Sequence, residues 1–351
     1  MKYHLICMSC SREYDKDYPS QICKACSGIL DVVYESIPKI ANHDATFVDY
    51  EKVLPEGRYP KYIVGNTRLC QSLSKKNVFL KMEIENPTHS FKDRGSIIEI
   101  SKAEEYGFGE VVCASTGNMA YSIAYYARLF GMKAKIFLSN DANKDKVYYI
   151  KSLGDADVQR IDGDFNKAQE AAIKYAQKNN AFLSGDYCYR KEGQKIIAYE
   201  IVAEQPKIEK IFVPVGNATL LSGILRAVKE MKSSGKVKRI PLIIGVQSSG
   251  CDPLVRAFEL NRVVRYVKPK TSADAIAVGY PTFGDSAKKL LEELKGRMVR
   301  INDARLKEEQ KKFFESSGIL AELAAVASLA AEKEFNKRNG RAACIISGAN
   351  I

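Results

Sequence analysis

The sequence lacks an apolar run long enough to cross a membrane and lacks the common nucleotide-binding glycine fingerprints. No stretch reaches the roughly 18 apolar residues that a transmembrane helix needs. Residues 1–10, MKYHLICMSC, also lack the apolar core of a signal peptide, so we expect a cytoplasmic protein that does not enter a membrane. Neither a Walker A loop nor GxGxxG occurs, so ATP and NAD are not favoured. No internal repeat or low-complexity segment interrupts the globular composition.

Length and charge limit the classes that remain. A chain of 351 residues suggests two domains, or one large domain with an appendage. The formal net charge is +12, but the lysines are spread along the chain instead of forming a basic block. Binding of anionic small molecules, or a charged solvated surface, therefore explains the charge as well as a nucleic-acid surface does. We expect no nucleic-acid partner, because the N-terminal segment that would carry such a surface has few basic residues.

Nine cysteines are present, and four of them are organised. Without a secretion signal an odd number of cysteines is best read as reduced thiols. Two CxxC pairs, separated by residues 11–22, have the spacing of two knuckles that give the tetrahedral sulfur cage preferred by Zn²⁺. We therefore predict a structural zinc ribbon over residues 1–30, with the ligands Cys7, Cys10, Cys23 and Cys26. The remaining five are predicted to be core thiols.

From about residue 60 the pattern alternates between strand and helix. Near-continuously apolar segments predict buried parallel strands at 110–115, 134–139, 210–216, 242–247 and 342–347. Helical patterns occupy 119–131 and 321–335. This alternation is typical of α/β folds in which helices cover both faces of a mainly parallel sheet.

The stretch ENPTHSFKDRGS, residues 85–96, places a lysine at a predicted helix start. A strand pattern at 77–84 precedes it, and Ser90 with Asp93 three residues later suggests an N-cap with an acidic first turn. Lys92 then lies at the positive end of the helix dipole, which favours its neutral amine. A neutral lysine amine is a nucleophile that forms Schiff bases with carbonyls. The alternative is a lysine that reaches solvent past the helix end.

Polar turns follow three of the predicted strands. They are STGN (115–118), GNATL (216–220) and SGAN (347–350), and the second of them offers backbone N–H groups to a phosphate at a helix start. Ligands of open α/β sheets bind at such strand ends. Together with a nucleophilic lysine these turns indicate a cofactor that has a phosphate and an aldehyde, which is pyridoxal 5'-phosphate (PLP).

These segments resemble the fold-type II PLP-dependent enzymes of the tryptophan synthase β superfamily, and among them most closely the threonine synthases. The similar segments are NPTHSFKDRG, CASTGNMAYSIAYYAR, YRKEGQKIIAYEI, VPVGNATLLSG and SSGILAELAAVASLAA. The resemblance implies a homodimer with a two-domain fold: a large PLP-binding domain at 31–90 and 195–351, and a small mobile domain at 91–194 that carries the STGN loop. It also implies a lyase that converts O-phosphohomoserine and water to threonine and phosphate.

Carried over by position, the resemblance assigns a role to each matching residue. Lys92 would bind the cofactor as a Schiff base and move protons at the substrate carbons. The cofactor would also be held by Asn118 at its ring hydroxyl, by Ser347 at its pyridine nitrogen, and at its phosphate by Gly216, Asn217, Ala218, Thr219 and Leu220. Ser115 and Thr116 would bind the substrate carboxylate. Arg190, whose guanidinium can grip a phosphate, would bind the distal end of a phosphorylated substrate, or else is a surface arginine.

Some positions depart from the pattern of the resembled family. His89 replaces a usual glycine, Leu323 replaces a usual proline, and the sequence stops shortly after SGAN, which is closer to the SGGN of threonine and serine dehydratases. The cofactor assignment survives these differences. The substrate stays open between O-phosphohomoserine, threonine or serine in a dehydratase, and a phosphorylated serine in a β-replacement enzyme.

Overall fold

A computed structural model describes residues 1–36, 52–57, 59, 64–115, 117–139, 144–154, 156–163, 165–235, 237, 239–337 and 340–349. The chain divides into two compact units. The first comprises the described residues within Met1–Pro38, Val48–Val64 and Lys92–Gly193, and the second those within Gly65–Phe91 and Gln194–Ile351. In the described ranges, no helix combines the length and apolar character needed to span a bilayer. The predicted domain assignment stays a prediction.

The first unit begins with a small antiparallel sheet. Its strands are β1 (Tyr3–Cys7), β2 (Glu13–Tyr14) and β3 (Leu30–Tyr34), in the order β2-β1-β3. Alternate side chains of β1 are buried, as the period of two along a strand requires. Cys7 pairs with Leu30 across β1 and β3. We call residues 1–34 the four-cysteine module.

The rest of the first unit is a four-stranded parallel sheet with helices. Its strands β6 (Glu110–Ala114), β7 (Lys133–Leu138), β8 (Ala156–Arg160) and β9 (Phe182–Leu183) lie in the order β8-β7-β6-β9. Its helices are α1 (Lys92–Glu105), α2 (Asn118–Leu129), α3 (Lys144–Ser152), α4 (Phe165–Asn179) and α5 (Cys188–Gln194), the last residue of which falls in the second unit.

The second unit is built on a six-stranded sheet in the order β12-β11-β10-β13-β5-β4. All pairs are parallel except β4 with β5. The strands are β4 (Leu69–Gln71), β5 (Val78–Met82), β10 (Lys210–Pro214), β11 (Leu242–Ser248), β12 (Arg297–Ile301) and β13 (Ala342–Ile346). The helices are α6 (Ile196–Glu204), α7 (Thr219–Ser233), α8 (Pro253–Glu259), α9 (Gly284–Glu293), α10 (Asp303–Ser317) and α11 (Leu323–Phe335).

The predicted α/β class is confirmed, and so are the elements on which it rested. Each predicted apolar strand occurs in one of the two parallel-rich sheets. The alanine-rich helix α11 packs against the second sheet, and its residues form a common core with those of β5, β10 and β13. Leu323 is the first residue of α11, the position that suits proline because its N–H has no acceptor within the helix. The helix begins at this position although leucine replaces the usual proline.

Two glycines allow α1 and α5 to approach closely within the first unit. A Cβ on Gly193 would overlap the carbonyl oxygen of Arg94, and a Cβ on Gly95 would lie 3.1 Å from the Cα of Arg190. Each helix therefore presents backbone to the other. This contact fixes the relative position of Lys92, at the start of α1, and of Arg190 in α5.

We expect Gly193→Ala to lower the free energy of unfolding by about 1–3 kcal/mol, because the added methyl group forces the two helices apart in a packed interior. The measurement is urea unfolding followed by circular dichroism. Gly109→Ala is the matched control, since a Cβ there meets nothing within 4 Å. Equal unfolding midpoints for the two variants would contradict the proposed close approach.

Candidate active site

Lys92 is the first residue of α1, and its side chain is 20% exposed. Its Nζ lies 3.6 Å from Oδ1 of Asp186, whose side chain is 10% exposed. Burial lowers the pKa of the Lys92 amine and outweighs the opposing effect of the Asp186 carboxylate, while the Arg190 charge lowers it further. The arrangement makes the neutral, nucleophilic amine available at a lower pH than for a solvated lysine.

The start of α1 differs from its prediction in one respect. Ser90 was predicted to be the N-cap, but the helix begins at Lys92 and the Ser90 hydroxyl is buried without a hydrogen-bond partner among the described residues, so this prediction is wrong. The backbone of Ser90 instead forms a β-bridge with Gly348, and the Phe91 N–H donates to the carbonyl oxygen of Ser347 at 3.0 Å. At this position, backbone pairing of Ser90 with Gly348 takes the place of side-chain capping of the helix.

The predicted acid of the first turn, Asp93, is present and buried. Its Oδ1 accepts a hydrogen bond from the Ser122 hydroxyl at 2.6 Å, and Ser122 also lies 2.7 Å from the hydroxyl of Ser96. Ser122 belongs to α2, so these bonds join α1 to α2 beside the lysine. Asp93 therefore helps to hold the helix that carries Lys92.

Arg190 does not have the exposed guanidinium that binding of a substrate phosphate would need. Its side chain is 0% exposed and forms an ion pair with Glu99, which is also 0% exposed. Each guanidinium nitrogen donates to a protein acceptor: Nε to Gly185 O at 2.8 Å, and the terminal nitrogens to Lys92 O at 3.1 Å, Ser96 Oγ at 3.1 Å and Glu99 Oε2. The sequence reading missed this pairing, because Glu99 looks like an ordinary polar helix residue.

The STGN turn follows β6 in the first unit. Ser115 is buried, its N–H donates to Phe137 O at 3.2 Å, and its hydroxyl accepts from the Gly117 N–H at 3.4 Å. Asn118 is the first residue of α2 and is partly exposed. Thr116 lies outside the described residues.

The GNATL turn of the second unit has the form of an anion-binding helix start. Ala218 adopts a left-handed conformation with φ of 62° at the N-cap of α7, and among the described residues no side chain caps that helix. The first N–H groups of a helix have no acceptor within it, so an anion can bind there. Two backbone N–H groups hold Asn217: its Oδ1 accepts from Thr282 N at 3.2 Å and its carbonyl oxygen accepts from Phe283 N at 3.1 Å. These residues fit a phosphate group.

Ser347 follows β13, which pairs in parallel with β10, so both turns lie at the carboxyl edge of one sheet. Ser347 is 5% exposed. Nearby in the second unit, His89 has φ of 56°, the left-handed region that glycine adopts without strain, which explains why glycine suits this position. Its Nδ1 lies 3.2 Å from Ile84 O, so the imidazole is engaged with the backbone.

The four cysteines of the module converge. Their sulfur atoms all lie within 4.8 Å of one another, and could hold a metal ion. The two knuckles have the same bonding: Ser11 N donates to Cys7 O, and Ser27 N donates to Cys23 O, each at 2.9 Å. Tetrahedral Zn–S bonds of about 2.3 Å place sulfurs roughly 3.8 Å apart, and the Cys7–Cys26 and Cys10–Cys23 distances are 3.5 and 3.7 Å. The donor set therefore fits zinc.

The thiol of Cys23 has a lowered pKa. Burial raises the pKa of Cys23, but hydrogen bonds from the Tyr14 hydroxyl and from the N–H groups of Ala25 and Cys26 outweigh burial and lower it to about 6. The Tyr14 oxygen lies 2.9 Å from Cys23 Sγ. A thiolate is the form that binds metal.

The chain belongs to the pyridoxal-phosphate-dependent enzyme family, whose model matches residues 61–348. It is 32% identical to a threonine synthase of Methanosarcina acetivorans over 93% of this chain and 85% of the relative. A threonine synthase of Methanocaldococcus jannaschii is 30% identical, over 98% of this chain and 92% of the relative. The fold is similar to that of maize serine racemase, with a TM-score of 0.73, 23% identity, and coverage of 82% of this chain and 89% of the racemase. The expected cofactor class is thereby confirmed.

We expect Asp186→Asn to lower the pKa of Lys92, because an opposite charge within 4–6 Å stabilises the ammonium form. The measurement is the pH dependence of Lys92 acylation in cofactor-free protein, followed by peptide mass spectrometry. Asp157→Asn is the control, since Asp157 pairs with Lys135 instead. An unchanged midpoint in Asp186→Asn would show that the carboxylate does not act on the amine.

Proposed function

We propose that this chain is a PLP-dependent threonine synthase that converts O-phosphohomoserine and water to threonine and inorganic phosphate. The observation that carries the proposal is the largely enclosed Lys92 amine, 3.6 Å from Asp186 and of lowered pKa, in the NPTHSFKDRG segment. The family membership and the threonine synthase names of the two archaeal relatives support the same reaction.

The cofactor, when bound, withdraws electrons from the substrate Cα, which makes its protons removable. Lys92 Nζ holds the cofactor and takes and returns the protons at the substrate carbons. The Asp186 carboxylate, 3.6 Å away, stabilises the ammonium that forms each time Lys92 accepts a proton. The remaining assigned roles are those of the resemblance: Asn118 at the ring hydroxyl, Ser347 at the pyridine nitrogen, Ser115 and Thr116 at the substrate carboxylate, and Gly216, Asn217, Ala218, Thr219 and Leu220 at the cofactor phosphate.

Arg190 has a different role in this proposal from the one its sequence suggested. Because its guanidinium is buried against Glu99 and bonded to Lys92 O, we assign it to holding the lysine instead of the substrate phosphate. The loss of this predicted phosphate ligand favours one second candidate, a threonine or serine dehydratase, whose substrate has no phosphate. A β-replacement enzyme acting on phosphoserine loses the same support.

The first test compares substrates. We expect release of inorganic phosphate from O-phosphohomoserine to exceed release of ammonia from threonine or serine by at least about tenfold in kcat/KM, which corresponds to about 1.4 kcal/mol in transition-state binding. Borohydride reduction should attach the pyridoxyl group to Lys92. Lys92→Ala should abolish the release of phosphate and the attachment of the pyridoxyl group. Lys133→Ala, which changes an exposed lysine, should abolish neither of these.

A dominant release of ammonia would favour the dehydratase. Attachment of the pyridoxyl group to a lysine other than Lys92 would contradict the site itself. Phosphoserine belongs in the same substrate panel, because its turnover with a second nucleophile would identify the β-replacement reaction.

We further propose that the four-cysteine module is a zinc ribbon with one structural Zn²⁺, since four thiolate positions leave no site for a substrate. Metal analysis of the purified protein should give one zinc per chain, and Cys23→Ser should lose it. Cys70→Ser is the control, because Cys70 lies on the edge strand β4 and outside the module. Retention of zinc in Cys23→Ser would contradict the ligand set.

The homodimer is included in the proposal on the resemblance alone, and the cytoplasmic location as the expectation drawn from the sequence and its reduced thiols. Light scattering of the purified protein tests the first, with twice the chain mass as the expected result. A mass equal to one chain at micromolar concentration would contradict it. Zinc binding does not require dimer formation in this proposal, because the four cysteines of the module come from one chain.

A further inference from the structure

Gln21 of the four-cysteine module inserts its amide into the interior of the first unit. Its side chain is 2% exposed although it lies two residues before Cys23. Its Nε2 donates to Glu99 Oε1 at 3.2 Å and to Leu183 O at 3.1 Å. Its Oε1 accepts from the Tyr189 N–H at 3.2 Å. Both ends of the amide are therefore used, which gives the side chain one orientation.

Glu99 is the acceptor of this amide and has no contact with solvent. Its Oε1 also accepts from the Gly185 N–H at 3.0 Å, and its Oε2 accepts from Arg190. Burial raises the pKa of Glu99, and the opposing contributions come from Arg190, from the Gly185 N–H and from Gln21. Gln21 is thus one of the groups that oppose the effect of burial on the pKa of this carboxyl.

Arg190 carries the connection to the lysine. It donates to Lys92 O and to Ser96 Oγ, both in the first turns of α1, and to Gly185 O, which precedes Asp186. The same guanidinium therefore fixes the backbone of Lys92 and the turn that holds the carboxylate facing its amine. A shift of Arg190 would move both partners of the Lys92–Asp186 pair.

We propose that Gln21 is a positioning residue for Lys92, which acts through the buried Glu99–Arg190 pair. This inference rests on the proposed role of Lys92 as the cofactor-binding lysine. It gives the N-terminal module a part in the reaction: the module supplies the neutral hydrogen-bond donor that completes the environment of a buried charge, and that charge in turn orients the reactive amine.

The sign of the expected effect follows from the charges around the amine. Asp186, Arg190 and Glu99 face Lys92; the carboxylates raise the pKa of its amine and the guanidinium lowers it. Without the Gln21 donor, Glu99 binds a proton more readily and offsets Arg190 less, so the pKa of Lys92 falls. The other titratable groups near Glu99 stay neutral, because burial raises the pKa values of Cys113, Tyr187 and Cys188.

The test uses the full-length Gln21→Met variant, which keeps the length of the side chain and removes the amide. We expect the midpoint of Lys92 acylation in cofactor-free protein to fall by about half a unit to one unit. We expect PLP to bind about three- to tenfold more weakly, because loss of the Gln21 bond loosens Arg190 and with it the backbone that positions the Lys92 amine. Gln21→Asn, whose amide sits on a shorter stem, should shift both in the same direction. It provides the measurement if the methionine variant does not fold.

Tyr34→Phe is the matched control. The Tyr34 hydroxyl also joins the module to α5, donating to Glu192 Oε2 at 2.5 Å, but it does not reach Glu99. We expect its acylation midpoint and PLP affinity to equal those of the unchanged protein. A wild-type midpoint in both Gln21 variants would overturn the proposal, and so would an equal shift in Tyr34→Phe, which would indicate general loosening of the module.

Failure of this inference is distinct from failure of the proposed function. Acylation reports the Lys92 amine with no cofactor present, so its midpoint is measured whatever reaction the enzyme catalyses. Attachment of the pyridoxyl group to another lysine after borohydride reduction would contradict the proposed role of Lys92 as the cofactor-binding lysine. A Gln21 effect on the midpoint would still establish the connection from the module to this side chain.

Discussion

The buried ion pair of Glu99 and Arg190 is the interaction on which the first unit depends. Removing two charges from water costs several kcal/mol per ion, and the mutual attraction offsets this cost only when the remaining donors and acceptors are bonded. Here Gly185, Ser96, Lys92 and Gln21 supply those bonds from separate parts of the chain. Loss of one charged partner would cost about 3–5 kcal/mol, because it would leave the other buried and unpaired. The pair therefore determines the relative positions of the segments that surround Lys92.

The parallel sheets explain where the other site residues lie. Parallel strands end at a common edge, and the polar turns after β10 and β13 meet this requirement within the second unit. The turn after β6 occupies the corresponding edge of the sheet in the first unit. A helix start follows β6 and β10 directly, so each of these two edges combines short polar side chains with backbone N–H groups. An anionic cofactor and an anionic amino acid both require such groups.

The sequence allowed prediction of the features that depend on local pattern. The two CxxC spacings, the apolar strands and the lysine at a helix start are each contained within a few residues, and the structure brings the four cysteines together as expected. Contacts between distant segments were not predicted. Glu99 lies in IIEISKAEE, which reads as a partly exposed helix, yet its partners Gln21 and Arg190 are 78 and 91 residues away in the chain. The contact of Asp186 with Lys92 and the pairing of Ser90 with Gly348 likewise join segments that are distant in the sequence.

The burial of Gln21 has a consequence for how the protein can be dissected. A truncated chain without residues 1–34 would lose the donor that Glu99 uses and would uncover Tyr189 and Lys102, which now pack against Tyr3. The module therefore cannot be treated as a detachable tag on an independent catalytic domain. A shortened version intended for crystallisation or expression would need another neutral hydrogen-bond donor to Glu99 in place of that amide.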